Sequence, residues 1–381
     1  MSQIIQFLRF PLIVGVVLVH CVPVGLWGTP LTLVLGQTCV PTFFVISGYL
    51  FFSRLERWDW SVFTMKLRTR VKTLFIPFLI WNLLLALFIC RAIILHAQFS
   101  QLWHFLTERG LFSIFLDYWR MPSSPHWLHE VIPSSLFPVC ESFADTFVWY
   151  QPLNVPLWYQ RDLILLCLAA PLFHFLLRSR ATVTLSLLFA LLILSGGWFP
   201  LRSITFFAIG ASLRLRGIRP VLHLSSSSHQ ALSYLFTVSF IILFLLCCIT
   251  HGATTPWGSL FLPLFLLMAP FMWFTLADAL LRHGIAHEKP ALTASCYLIY
   301  VLHFRPLLAY TDTLAHWLLS PISSLPVVSL SLGSMHMSLS AYTDLCYLIS
   351  PAMTIATCVL IHALASRLMP RTLAILTGGR A

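Results

Sequence analysis

Apolar runs, each about the length of a membrane-crossing helix, alternate with short polar segments along nearly the whole chain. A spanning helix needs about 20 mainly apolar residues. The runs predict ten spans, at 8–27, 33–53, 73–96, 153–177, 181–198, 200–216, 230–250, 257–281, 291–311 and 345–366, the fifth and sixth being short and joined at Gly196-Gly197. The expected fold is therefore all-α, a polytopic transmembrane helix bundle forming a single domain over residues 1–381. Segments 98–152 and 312–344 are expected as outer loops, and 54–72 as a basic cytoplasmic loop. The N-terminal run follows Arg9 as a signal peptide would, but no small-x-small cleavage site follows it, so it is expected to be kept as the first helix.

The polar segments report orientation. Arg54, Arg57, Lys66, Arg68, Arg70 and Lys72 follow the second run, and Arg178 and Arg180 the fourth. Arg214, Arg216 and Arg219 follow the sixth, Arg282 and Lys289 the eighth, and Arg367, Arg371 and Arg380 the last. The intervening segments are poor in Lys and Arg: 98–152 sets Glu108, Asp117, Glu130, Glu141 and Asp145 against Arg109 and Arg120, and 312–344 holds only Asp312 and Asp344. Positive charge gathers on the cytoplasmic side, which puts both termini there.

Composition agrees with burial in lipid: 59% of residues are hydrophobic and 9% charged, where a soluble domain carries about 25% charged residues. The net charge of +11 is divided among short loops, so no nucleic-acid partner is expected. Eight of the ten cysteines, among them Cys21, Cys39 and Cys167, lie in apolar runs as packing residues. No metal site is expected.

Ionisable groups inside spans are costly and therefore mark candidate sites. Arg9 and His20 stand eleven residues apart in the first run. At about 100° per residue they share a helix face, about 16 Å apart along the axis. A guanidinium at the mouth can hold a phosphate or carbonyl, and an imidazole deeper in can take a proton from a hydroxyl. The plainer alternatives are an inside anchor for Arg9 and a core histidine bonded to a carbonyl for His20. Pro11 would bend the helix if Arg9 already lies within it.

Lys66, Arg68, Arg70 and Lys72 recur every second residue and can pair with donor phosphates, or simply report topology. Trp158, Arg161 and Asp162 are expected near the outer end of the fourth span. Trp158 there is an interface anchor or part of an acceptor mouth, and Arg161 and Asp162, pointing about 100° apart, need not pair. Tyr300 and His303 share a face in the ninth span, with Arg305 beyond them; they line a cavity opposite His20 or form a structural network. Ser47-Gly48 reads as a close helix contact.

The Arg, ten residues, then His of the first span resembles the membrane acyltransferase 3 family. FFVISGYL (43–50), KLRTRVKTLFIPF (66–78), PLWYQRDLILLCLAAPL (156–172), FFAIGASL (206–213) and YLIYVLHF (297–304) are similar to family segments and follow in family order. The resemblance implies a bundle of about ten helices and a functional pair at Arg9 and His20. It further implies acyl-CoA, usually acetyl-CoA, as donor substrate rather than a permanently bound cofactor, and O-acylation of a carbohydrate or lipid-linked glycan. The expected location is a bacterial inner membrane, with membrane lipid as surroundings. The chain departs from the family at Gln6, where many members carry Asp, and at Gln160-Arg161-Asp162, where many carry acidic residues. A transporter or flippase for a polar lipid explains an intramembrane Arg and His equally well in physical terms, although no internal repeat of the transporter kind is present.

Overall fold

The structure, a computed structural model, describes the chain except for residues 23, 56, 96–153, 195–198, 222–229, 251–255, 305–306, 325–327, 333–334 and 381. The expected outer segment 98–152 thus lies outside the described residues. Elsewhere the protein is helical apart from one small hairpin.

Helix α1 spans Ser2–Val19 and carries Pro11 without breaking. After a turn that begins at His20, α2 covers Gly25–Phe51. Its first half is irregular: a widened helical stretch over Gly28–Leu35 and a tight turn at Gly36–Thr38 precede the regular part, Cys39–Phe51. Glycines permit this segment to pass close under α1. A side chain at Gly15 would collide with Cys39 Sγ, and one at Gly36 would lie 3.1 Å from the Gly15 carbonyl.

The expected basic loop at 54–72 is instead largely a helix, α3, Trp60–Arg70. Asp59 caps it, accepting from the amides of Ser61 (2.7 Å) and Val62 (3.4 Å). These bonds, and one from the Ser61 hydroxyl, hold the Asp59 carboxyl below its usual range. A helical turn repeats every 3.6 residues, not every two. Lys66 and Arg70 therefore share a partly buried face, while Arg68 and Lys72 are exposed.

A widened turn at Val71–Phe75 leads into α4, Ile76–Leu95. The predicted fourth span breaks at Ala169, into α5 (Trp158–Leu168) and α6 (Ala170–Leu194). Helix α6 kinks where Arg180 leaves helical geometry, close to the predicted boundary between spans. Helices α7 (Phe199–Leu215), α8 (Gln230–Ile249) and α9 (Pro256–Arg282) follow the predicted runs closely.

The ninth run is not one helix. Helix α10, Pro290–Leu302, ends at His303, and α11, Leu307–Leu319, leaves it at 96°. In sequence, Pro306 directly precedes α11, and proline lacks the N–H a continuing helix needs. The segment expected as a loop at 312–344 contains most of α11 and a hairpin of β1 (Val328–Leu332) and β2 (Met335–Leu339). It leads into α12, Ala341–Leu368, and then α13, Pro370–Thr377. Among the described residues, five helices are long and apolar enough to cross a membrane, or six if the bent pair counts as one span.

The core centres on α2 and α7, whose backbones touch. A side chain at Gly48 would strike the Phe207 carbonyl, and one at Gly210 the Val45 carbonyl. Without a strong hydrophobic drive between helices in lipid, such close contact supplies much of the attraction. Phe44, Phe51, Phe52, Phe206 and Phe207 fill the space around it. Helix α5 carries a buried ion pair that is tied to α7 through Ser203. Arg161 and Asp162, 2% and 5% exposed, bond at 2.8 Å and 3.1 Å, and the second oxygen of Asp162 accepts from the Ser203 hydroxyl at 2.8 Å. The sequence argument that these neighbours need not pair is corrected here: the guanidinium bends back along its long stem to reach the adjacent carboxylate.

Two outcomes test this account. Gly48→Val costs about 1–3 kcal/mol or more by overpacking and lowers the melting temperature of the detergent-purified protein; an unchanged melt would remove the α2–α7 contact from the core. Asp162→Ala removes the carboxylate partner of a buried guanidinium and costs about 3–5 kcal/mol, whereas Ser203→Ala costs about 1 kcal/mol. Equal effects of the two on the yield of folded protein would contradict the ion-pair reading.

Candidate active site

Two helices stop beside each other and each stops at a histidine. Helices α1 and α10 pack together; His20 caps the first and His303 the second. Their rings lie 5.1 Å apart, centroid to centroid, tilted by 46°, and Phe304 closes against His20 at 4.9 Å. His20 is half-buried and His303 fully buried. The ring of His20 therefore faces protein, and the pairing expected of Tyr300 and His303 with His20 is realised through His303.

A helix end leaves carbonyls without partners, and each here has a side-chain donor. The Thr32 hydroxyl donates to Leu18 O (2.8 Å) and also meets the Tyr347 hydroxyl (2.7 Å). At α10, His303 Nδ1 lies 3.0 Å from the carbonyls of both Ile299 and Tyr300. Carbonyls only accept, so Nδ1 carries a proton, and in the neutral imidazole Nε2 then presents a lone pair. That Nε2 is buried and has no hydrogen-bond partner among the described residues.

Below the histidines along α10 lie Tyr300 and Tyr297, three and six residues earlier, each turned about 60° around the helix from the next. Tyr300 donates to Pro156 O at 2.5 Å and Tyr297 to Gln160 Oε1 at 3.1 Å; Gln160 in turn donates to Leu74 O. Tyr159 stands edge-on to Tyr300 at 6.1 Å and shares a 2.8 Å bond with Ser47. Trp158 is partly buried and packs 6.2 Å from Phe44. Arg161 is in the buried ion pair of α5. Arg305 lies outside the described residues.

Beneath the tyrosines is a cluster of cations. The chain leaves α2 through Arg54, held in the left-handed region at φ 65°. Lys66 and Arg70 lie over the Phe51 ring at 5.7 and 5.9 Å, and Arg214 over Tyr49 at 5.6 Å. Burial, then the charges of Arg70, Arg54 and Arg214, pull the Lys66 ammonium below its ordinary range, with Cys167 opposing them. Arg380, from the C-terminal tail, sits 4.7 Å over the Tyr297 ring and within electrostatic reach of Arg70 and Arg9. Arg9 is half-buried beside Cys296 of α10.

The structure thus gathers Arg9, Lys66 and Arg70 at one level and His20 with His303 at another, with Tyr300 between them. It leaves Arg68 and Lys72 outside. Sequence reasoning passed over Tyr297, Tyr159 and Arg380. Tyr297 carried a signal, the same three-residue spacing that singled out Tyr300 and His303. Arg380 carried none beyond its charge. A separate cavity of about 400 Å³, lined by Arg57, Leu177, Arg178, Leu215 and Arg216, contains none of the predicted site residues. His283 and His287, four apart, fall in a non-helical turn.

Comparison with known proteins gives these groups a context. Residues 3–342 match an acyltransferase domain, that of the acyltransferase 3 family. The succinoglycan biosynthesis protein ExoH of Rhizobium meliloti (strain 1021) is 27% identical in an alignment covering all of this chain and 92% of that protein. No solved structure matches the chain. With its apolar helices and a family match running from the start of α1 past the hairpin, the chain belongs to the acyltransferase 3 family of integral membrane acyltransferases.

Proposed function

We propose that the protein moves an acyl group, acetyl in the simplest case, from cytoplasmic acyl-CoA to a hydroxyl of a carbohydrate or glycolipid. It would sit in a bacterial inner membrane with about ten spans and both termini in the cytoplasm. The observation that carries the reading is the contact of His20 with His303, whose buried Nε2 has no hydrogen-bond partner among the described residues. Membership of an acyltransferase family supports the transfer itself. The name of ExoH, which refers to succinoglycan biosynthesis, supports a glycan acceptor.

In this scheme the nucleotide end of the donor rests among Arg9, Lys66 and Arg70. The pantetheine arm runs upward past Tyr297 and Tyr300 and presents the thioester beside the histidines. Arg9 and His20 are about 16 Å apart along α1 by helical rise, a span the extended arm covers. The acceptor hydroxyl approaches from the opposite side. His20 takes its proton as the oxygen attacks the thioester carbonyl. His303 Nε2 accepts a hydrogen bond from that hydroxyl or from His20 and orients it. The C–S bond then breaks, and the proton passes from the imidazole to the departing thiolate.

The test uses acetyl-CoA with a labelled acetyl group, added to membranes that contain the native acceptor. His20→Ala should insert normally and cut label transfer by about 10²–10⁴-fold. His303→Asn can keep a donor for the Ile299 and Tyr300 carbonyls but loses the Nε2 lone pair, so it should fold yet transfer at least about tenfold more slowly. Full transfer by correctly inserted His20→Ala protein would end this mechanism. Full transfer by His303→Asn would confine His303 to capping α10.

A further inference from the structure

The C-terminal tail closes back on the cationic level of the bundle. Helix α13 turns away from α12 at Met369 and is pinned by Trp81, whose indole N–H donates to Leu376 O at 2.9 Å. The chain then passes Gly378, at φ +63°, where a side chain would lie 2.6 Å from Thr73 O. This approach is open only to glycine, both for its left-handed backbone and for its missing Cβ. It delivers Arg380 to a set place: Nη2 donates to Thr73 O at 2.7 Å and the guanidinium lies over Tyr297.

That place is unfavourable for a cation on its own. Arg380 is half-buried, and that burial lowers its pKa, with the charges of Arg70 and Arg9 adding to the effect and Tyr297 and Tyr159 opposing it. No ion pair joins Arg380, Arg9 or Arg70 to a carboxylate among the described residues. A partly buried charge without a counter-charge is unfavourable. One carbonyl and one aromatic face offset part of that cost. The guanidinium still has donors to spend, in a fork that fits phosphate oxygens. Three arginines from α1, α3 and the tail, paired with no carboxylate among the described residues, form a site that an anionic ligand completes. The family match ends at residue 342, so the tail lies beyond it.

We propose that Arg380, positioned by Gly378, joins Arg9 and Arg70 in binding the phosphate groups of the acyl donor at the cytoplasmic mouth. The proposal rests on acyl-CoA being the donor. In this arrangement the tail is a wall of the binding site, and the same Tyr297 ring that supports Arg380 begins the path taken by the pantetheine arm.

The experiment measures coenzyme A binding to the full, detergent-purified chain by calorimetry, with pantetheine, which lacks the nucleotide and its phosphates, as a competitor of labelled coenzyme A. Arg380→Gln and Gly378→Val should each weaken coenzyme A binding at least about tenfold, and Arg380→Lys less than Arg380→Gln. Competition by pantetheine, scored relative to unliganded melting temperature, should be unaffected. Coenzyme A bound by folded Arg380→Gln as tightly as by wild type overturns the proposal. So does an equal loss of coenzyme A and pantetheine, which marks a structural role. If Arg380→Gln does not fold, the Gly378→Val and Arg380→Lys measurements decide in the same way. Wild-type protein that binds no coenzyme A overturns the donor reading first, before any substitution is made, and this proposal with it.

Discussion

A helix that stops inside a bundle must hand its last carbonyls to something other than water. Helix α10 has thirteen residues and rises about 20 Å, short of a bilayer core of about 30 Å. Its end is satisfied by the imidazole of His303, and the end of α1 by the hydroxyl of Thr32. These two solutions have different consequences. Because Thr32 serves α1, the ring of His20 is released from backbone duty. Because His303 serves α10, its tautomer is fixed and its second nitrogen is left as an acceptor. The backbone's need for partners thereby sets the protonation pattern of the site.

Keeping two helix ends in register requires a rigid surround. The α2–α7 contact provides it at the backbone level, with glycines at 48 and 210 removing the side chains that would hold the helices apart. The buried Arg161–Asp162 pair, extended to Ser203, fixes α5 against the same helix. From α5, Gln160 and Tyr159 reach the tyrosines of α10 and the Ser47 hydroxyl. A polar network thus connects the densest part of the core to the helix that carries His303. Its members are neutral apart from the one compensated pair, which suits a low-dielectric interior where an unpaired charge is costly.

Much of this was legible in the sequence because it depends on period alone. The apolar runs gave the helices, and the eleven-residue spacing gave Arg9 and His20 a common direction. The 3.6-residue period also placed Tyr300 and His303 together. What was lost depends on exceptions to period. A two-residue repeat from Lys66 to Lys72 suggested four equivalent cations, but a helix forms there and separates them into an inner and an outer pair. Adjacent Arg161 and Asp162 point apart at their Cα atoms, yet the length of arginine undoes that argument. The break after His303 interrupts the apolar run only briefly, at Arg305-Pro306, so hydropathy averaged over the run joins what the backbone divides. Arg380 is brought to the site by tertiary packing of a tail far from α1 in sequence, a contact no local pattern encodes.

The distribution of charge along the bundle bears on how a donor would be sorted. At the lower level Arg9, Lys66, Arg70, Arg214 and Arg380 stand with aromatic rings for support. At the upper level stand two imidazoles and no carboxylate bonded to either ring among the described residues. Between them are phenols. An anionic head group gains most at the first level and has little reason to go further, since the next layer offers hydrogen bonds but no countercharge. A neutral thioester arm meets no such barrier. On the proposed reaction, the same gradient that binds the phosphates would stop them there, and the separation between cations and histidines would select a donor whose reactive end lies one arm's length from its charge.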